Sequence, residues 1–210
     1  MASRMIHLAL GYVLSEQFDV GDRESFLAGS VIPDAFPKEQ SHFFRYFGEG
    51  SARKTYALRQ FRERFGDRLG GGLFLGYYMH LVEDLVFRDH LYHKVGYVPT
   101  KEKLPRLHRD YTLLNGIISR SCGIKAVPAL PEGFEKEPLV GEHSVEIRAF
   151  LEDMKNDLTA SPEGETVYYT QAIAEDYITT ASEICETELR ALRGQGEHIR
   201  EEDFSWLRHN

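Results

Sequence analysis

His80 and Asp84 stand four residues apart in Gly76-Tyr-Tyr-Met-His80-Leu-Val-Glu-Asp84, so a helix carries both on one face about one turn apart. An imidazole and a carboxylate at that spacing can share one divalent ion. Their setting says more than their spacing. The run from Leu73 to Phe87 is the longest apolar stretch of the chain, and an unpaired carboxylate buried there would be costly. Asp84 therefore needs a neutralising partner: a cation, an arginine or a metal.

Further polar residues sit in similarly apolar surroundings. His7 lies within Met5-Ile6-His7-Leu8-Ala9, Asp34 follows Pro33 in an otherwise apolar segment, and His42 precedes Phe43-Phe44. Taken singly, a histidine in an apolar stripe reads as a hydrogen-bonded core residue, and an aspartate after proline as a turn residue. With His80 and Asp84 they make three imidazoles and two carboxylates. That set suits a borderline divalent ion, zinc first, with iron, manganese and nickel also compatible.

The order of these motifs resembles the zinc-dependent phospholipase C family, a fold relative of the P1/S1-type nucleases. The resemblance is carried by His7, Gly29-Ser30-Val31-Ile32-Pro33-Asp34, Ser41-His42-Phe43 and Gly76 to Asp84, and it spans roughly residues 5–115. It implies an all-α helical bundle of the phospholipase C/P1 nuclease type. It also implies that Asp34, His42 and His80 hold one zinc, and that Asp84 bridges it to a second, which His7 also binds. His90 falls where the family has a ligand of a third ion. The family then has a histidine followed four residues later by an acid. Here His108 is followed at that distance by Thr112, and Asp110 is the nearest carboxylate. Secreted members also use the free amine of an N-terminal tryptophan, absent here. One or two zinc ions are expected rather than three.

The chemistry implied is hydrolysis of a phosphate ester. A bound divalent ion lowers the pKa of water towards ~7 and stabilises charge at phosphorus. Asp34 is the expected catalytic residue, orienting or deprotonating the water. The leading substrate is a small phosphodiester or a phospholipid head group. Two alternatives remain: a single-strand nuclease of the same fold, and a non-catalytic, metal-stabilised helical binding protein.

Composition sets the frame for these residues. The 210 residues predict a single domain, with 42% hydrophobic and 28% charged residues as in ordinary globular proteins. A net charge of -8 argues against a stable nucleic-acid complex. Two distant cysteines, Cys122 and Cys185, support neither a disulfide framework nor a thiolate metal site. No signal peptide or spanning segment is visible, so a cytoplasmic location is expected.

The elements that must position the site follow from periodicity. A buried first helix is predicted over 5–18 and a short one from its cap Asp22 through Leu27, ended by Gly29. A third helix is predicted over 51–65 and a central one from Leu73 to about Tyr92, apolar on nearly every face. Pro99 and Pro105 bracket the start of another, running to about Arg120. An amphipathic helix through Ile147, Met154 and Leu158 and a last one over roughly 163–193 complete a bundle without strands. The proline-rich segment 121–140 is expected to be a mobile loop bordering the cleft. Phe43, Phe44 and Tyr77 are candidates for its walls. The basic run Arg45 to Arg64 reads as a solvated face, and Trp206 as packing back on the bundle. His93, His143, His198 and His209 have no evident partners.

Overall fold

The computed structural model describes residues 2–98, 100–159 and 162–207. Pro99 and His209 lie outside them. Its helices are α1 (Arg4–Gln17), α2 (Arg23–Gly29), α3 (Lys38–Ser41), α4 (Leu58–Phe65), α5 (Gly72–Asp89), α6 (Leu104–Ser121), α7 (Ser144–Thr159) and α8 (Gln171–Leu192). The protein is thus mostly helical, as expected. None of the described helices is long and apolar enough to cross a membrane.

Helix α5 is the axis of the fold. Every residue from Gly72 to Phe87 is buried, because α2, α4 and α8 all pack on it. Helix α1 begins at Ser3, whose side chain accepts the amide of Ile6. It buries its N-terminal half between α2, α6 and α8. Asp22 caps α2 by accepting the amide of Glu24, and Gly29 is its last residue.

The contact between α2 and α5 is made by backbone. A Cβ added at Gly29 would stand 2.1 Å from the carbonyl oxygen of Leu73, and one at Gly76 would stand 2.0 Å from that of Phe26. Only glycine permits this approach. It sets Ser30, the residue after α2, against the middle of α5.

The strand-free expectation needs correction. The first part of the segment read as a third helix, together with the residues before it, forms a hairpin, β1 (Phe44–Phe47) with β2 (Arg53–Tyr56). β3 (Trp206–Leu207) from the C-terminal tail adds to β2. Only the residues from Leu58 onward are helical. The chain enters the hairpin through Phe43, a bulky residue at φ +48°, whose carbonyl accepts the amide of Ala57 at 2.7 Å. That turn drives Phe43 against Phe61 and Phe65 while His42 points into the centre.

The last helix also starts later than its apolar pattern suggests. Thr170 caps it by accepting the amide of Ile173. The residues just before the cap are held by Asp110 of α6, which accepts the amides of Val167 (3.0 Å), Tyr168 (2.7 Å) and Tyr169 (2.9 Å).

Candidate metal centre

Five elements converge on one buried cluster. His7 comes from the first turns of α1, Asp34 from a short 3-10 turn over Ile32–Ala35, His42 from the end of α3, and His80 and Asp84 from α5. Tyr56 of β2 closes one side, donating to Asp84 Oδ2 at 3.0 Å. His7, His42, His80 and Asp84 are fully buried, and the Asp34 side chain retains 9% of its exposure.

Each imidazole is anchored at Nδ1 by a neighbour outside the cluster. His80 Nδ1 donates to the Ser30 carbonyl at 2.9 Å. The Ser41 hydroxyl donates to the Phe36 carbonyl at 3.4 Å, which leaves its oxygen to accept from His42 Nδ1 at 2.6 Å. His7 Nδ1 donates to Glu83 Oε2 at 2.7 Å. These bonds turn all three Nε2 atoms inward with lone pairs available, the outer-shell arrangement that orients histidine ligands.

Their ligand atoms fall into two overlapping sets close enough to share an ion, His42 with His80 and Asp84, and His7 with Asp34 and His80. His42 Nε2 lies 3.4 Å from His80 Nε2, 3.5 Å from Asp34 Oδ1 and 3.4 Å from Asp84 Oδ2. His80 Nε2 is 4.0 Å from Asp34 Oδ1. A tetrahedral ion with nitrogen ligands at about 2.05 Å has ligand-to-ligand edges of about 3.3 Å. Two inward lone pairs at such a distance repel unless a cation sits between them. Asp34 Oδ1 has no hydrogen-bond partner, and neither does His7 Nε2, so the donor set fits a divalent ion. His7 Nε2 faces the other oxygen of Asp84, Oδ1, at 3.3 Å, and its ring stacks on His80 at 4.0 Å. Asp84 thus directs one oxygen at His42 and the other at His7, where the backbone amide of Ala2 also donates at 3.1 Å.

The protonation pattern without an ion follows from burial and these contacts. Burial pulls the His7 pKa down, but the Asp84 and Glu83 carboxylates outweigh it and carry it up to about 10. Burial and the positive charge of His7 push His80 down to about 3. Burial pushes Asp34 up, yet the hydrogen bond from His42 and the electrostatic attraction of His80 hold it below the usual carboxylate range, and Asp84 is likewise held well below that range against burial. Glu83 moves to about 7, raised by burial. The cluster without an ion thus keeps a proton in the place of a cation.

His7, Asp34, His42, His80 and Asp84 are therefore brought together. His90 and Asp110 are not, and the expectation that they complete a metal site is corrected. Helix α5 gives way at His90 to a π-helical turn, His90–Lys94. This turns the imidazole towards Asp176, at 3.8 Å, and Tyr177. Asp110 spends both oxygens on the backbone of 167–169. His108 lies beside Tyr111 on a surface cleft.

The cleft next to the cluster has a volume of about 880 Å³. Phe44 lines it, whereas Phe43 and Tyr77 belong to the core. Its rim is built by Tyr97, Val98, Thr100, Lys101, Leu104 and Leu107 rather than by 121–140, none of which lines it. Other histidines have structural partners: His143 stacks on Phe36, His198 pairs with Glu188, and His93 approaches Asp89. Sequence reasoning gave no role to Glu83, Tyr56 or the Ser30 carbonyl. Glu83 adjoins Asp84, and its place one helical turn from His80 was the available signal. No protein-family model matches the chain, and no curated protein and no solved structure matches it.

Proposed function

We propose that the protein is a zinc-dependent hydrolase of phosphate esters. The observation that carries this reading is a buried donor cluster in which each possible ion position is supplied by three side chains. Among the described residues, His42, His80 and Asp84 form one set of donors close enough to share an ion. His7, Asp34 and His80 form a second, overlapping set, and three protein donors leave a fourth coordination position for water or substrate. Structural sites are closed by protein ligands, whereas catalytic sites keep an open position.

Zinc bound there supplies Lewis acidity, acidifying water and drawing charge from the phosphoryl oxygens. The chain's own residues do the rest. Asp34 stays ionised because its carboxyl is held low, and it orients the attacking water as a hydrogen-bond acceptor. Water adds to phosphorus, the ester P–O bond breaks, and the departing oxygen takes up a proton. Tyr56 fixes Asp84 by its 3.0 Å hydrogen bond, and Glu83 fixes His7. Burial of the cluster excludes bulk water and strengthens each of these interactions.

The complete burial of His7, His42, His80 and Asp84 favours a second reading, a closed zinc that only stabilises the fold. Assay against bis-p-nitrophenyl phosphate, phosphatidylcholine and single-stranded DNA, with and without chelator, separates the two. Chelator-sensitive turnover of a small diester or phospholipid is expected. Turnover of the DNA alone would indicate the nuclease alternative. Bound zinc without turnover of any of them would leave the structural role.

A further inference from the structure

The cleft beside the cluster carries an unusual cation. Arg88 lies one turn beyond Asp84 on α5, and its guanidinium reaches the cleft between two rings, 4.4 Å from Trp206 and 5.7 Å from Tyr92. Its Nη1 donates to the Tyr92 hydroxyl at 3.1 Å, while its buried Nε has no hydrogen-bond partner. Among the described residues no carboxylate lies within ion-pair distance of it. Arg4, by contrast, pairs with Asp153 and Asp157, Arg45 with Glu202 and Arg62 with Glu188. An arginine with a buried, unsatisfied N–H and no counter-ion is a strong place for an incoming anion.

A second cation faces the same space. Lys54 of β2 holds its ammonium 3.2 Å from the centre of the Phe44 ring, and burial pulls its pKa down. Lys54 pairs across the sheet with Trp206, so the two cations and the indole share one wall. Lys38 and Lys101 also line it, with Glu39 the one acid among its lining residues. The remaining lining is mostly aromatic and aliphatic. Its 880 Å³ volume falls in the range of sites that take small organic ligands.

We infer that this cleft is an anion subsite, with Arg88 and Lys54 receiving a phosphate or carboxylate group attached to a flat apolar body that lies against Trp206 and Phe44. The cleft shares its inner wall with the metal cluster. Ala2 lines it and donates to Asp84, and Phe44 lies against His42 with ring centres 5.8 Å apart. In its link to catalysis the inference rests on the proposed function: the preferred substrate carries a second anionic group beyond the phosphate that is cleaved.

Trp206 is the only tryptophan, so its fluorescence reports on this wall without any need for turnover. The purified protein is titrated with phenyl phosphate, inorganic phosphate and phenol. Phenyl phosphate should change the emission saturably and bind at least tenfold tighter than either of the other two. Arg88→Gln should weaken it at least tenfold and Lys54→Gln about threefold. Lys54 lies on the surface hairpin, so its variant remains informative if Arg88→Gln fails to fold. Binding of phenol equal to that of phenyl phosphate, or phenyl phosphate binding unchanged in both variants, would overturn the subsite. Equal binding of inorganic phosphate would also overturn it, by showing that the flat body contributes nothing. Arg88-dependent binding, with no turnover of bis-p-nitrophenyl phosphate, phosphatidylcholine or single-stranded DNA, would uphold the subsite while removing the catalytic proposal.

Discussion

At the scale of single residues, Asp84 engages both of its carboxylate oxygens in the cluster. It meets His7, His42, Tyr56 and the amide of Ala2. Asp84→Asn should therefore lose bound zinc and activity together. His90→Ala should keep both, because His90 faces Asp176 instead of the cluster. Metal analysis and phosphodiesterase rates of the two variants decide this, and loss of zinc in His90→Ala with retention in Asp84→Asn would refute the assignment. Asp110 gives the complementary case. Its removal leaves three backbone N–H groups without their acceptor, so Asp110→Ala should cost about 3 kcal/mol of stability with no change in zinc content. Urea unfolding alongside metal analysis checks both halves. The two carboxylates looked alike in sequence, each beside a histidine and on a helix. What separates them is the partner set, and the partners of Asp110 lie 57 to 59 residues away, beyond the reach of local spacing.

At the scale of elements, the parts that read well were those whose pattern is local. The all-round apolar character of α5, the Asp22 cap and the buried stripe of α1 are each written within a few turns of helix. The hairpin was missed because its strands are four residues long, too short for alternation to stand out. Its third strand also comes from the far end of the chain. The late start of α8 was hidden for a related reason, since the backbone before it is held by Asp110. The α2–α5 crossing depends on glycines that sequence alone marked only as a helix end and a motif residue. Gly76→Ala would drive a methyl group into the Phe26 carbonyl and should cost about 3 kcal/mol. It should also shift the Ser30 carbonyl away from His80 Nδ1. Thermal unfolding measures the first effect, and the imidazole NMR signals of His80 report the second. A variant as stable as the parent would show that the helices do not need this close approach.

For the whole molecule, the polar cluster lies at the heart of the core, so folding and metal binding are linked. The helices converge through α5 on three imidazoles and two carboxylates, and among the described residues no lysine or arginine forms an ion pair with them. An ion that binds only the folded state stabilises it by ~4 kcal/mol at a thousandfold excess over its dissociation constant. For a chain of this size that is a rise in Tm of about 10 °C. The same cluster explains how an acidic protein, with net charge -8, can accept an anionic substrate, because the field near the ion and Arg88 is positive whatever the total. The most direct measurement is elemental analysis of protein purified without chelator, paired with its melting temperature before and after stripping and restoring zinc. The expected result is at least one zinc per chain, with Tm falling by about 10 °C on stripping and recovering on addition. A metal content near zero, with no gain in Tm when zinc is supplied, would contradict it.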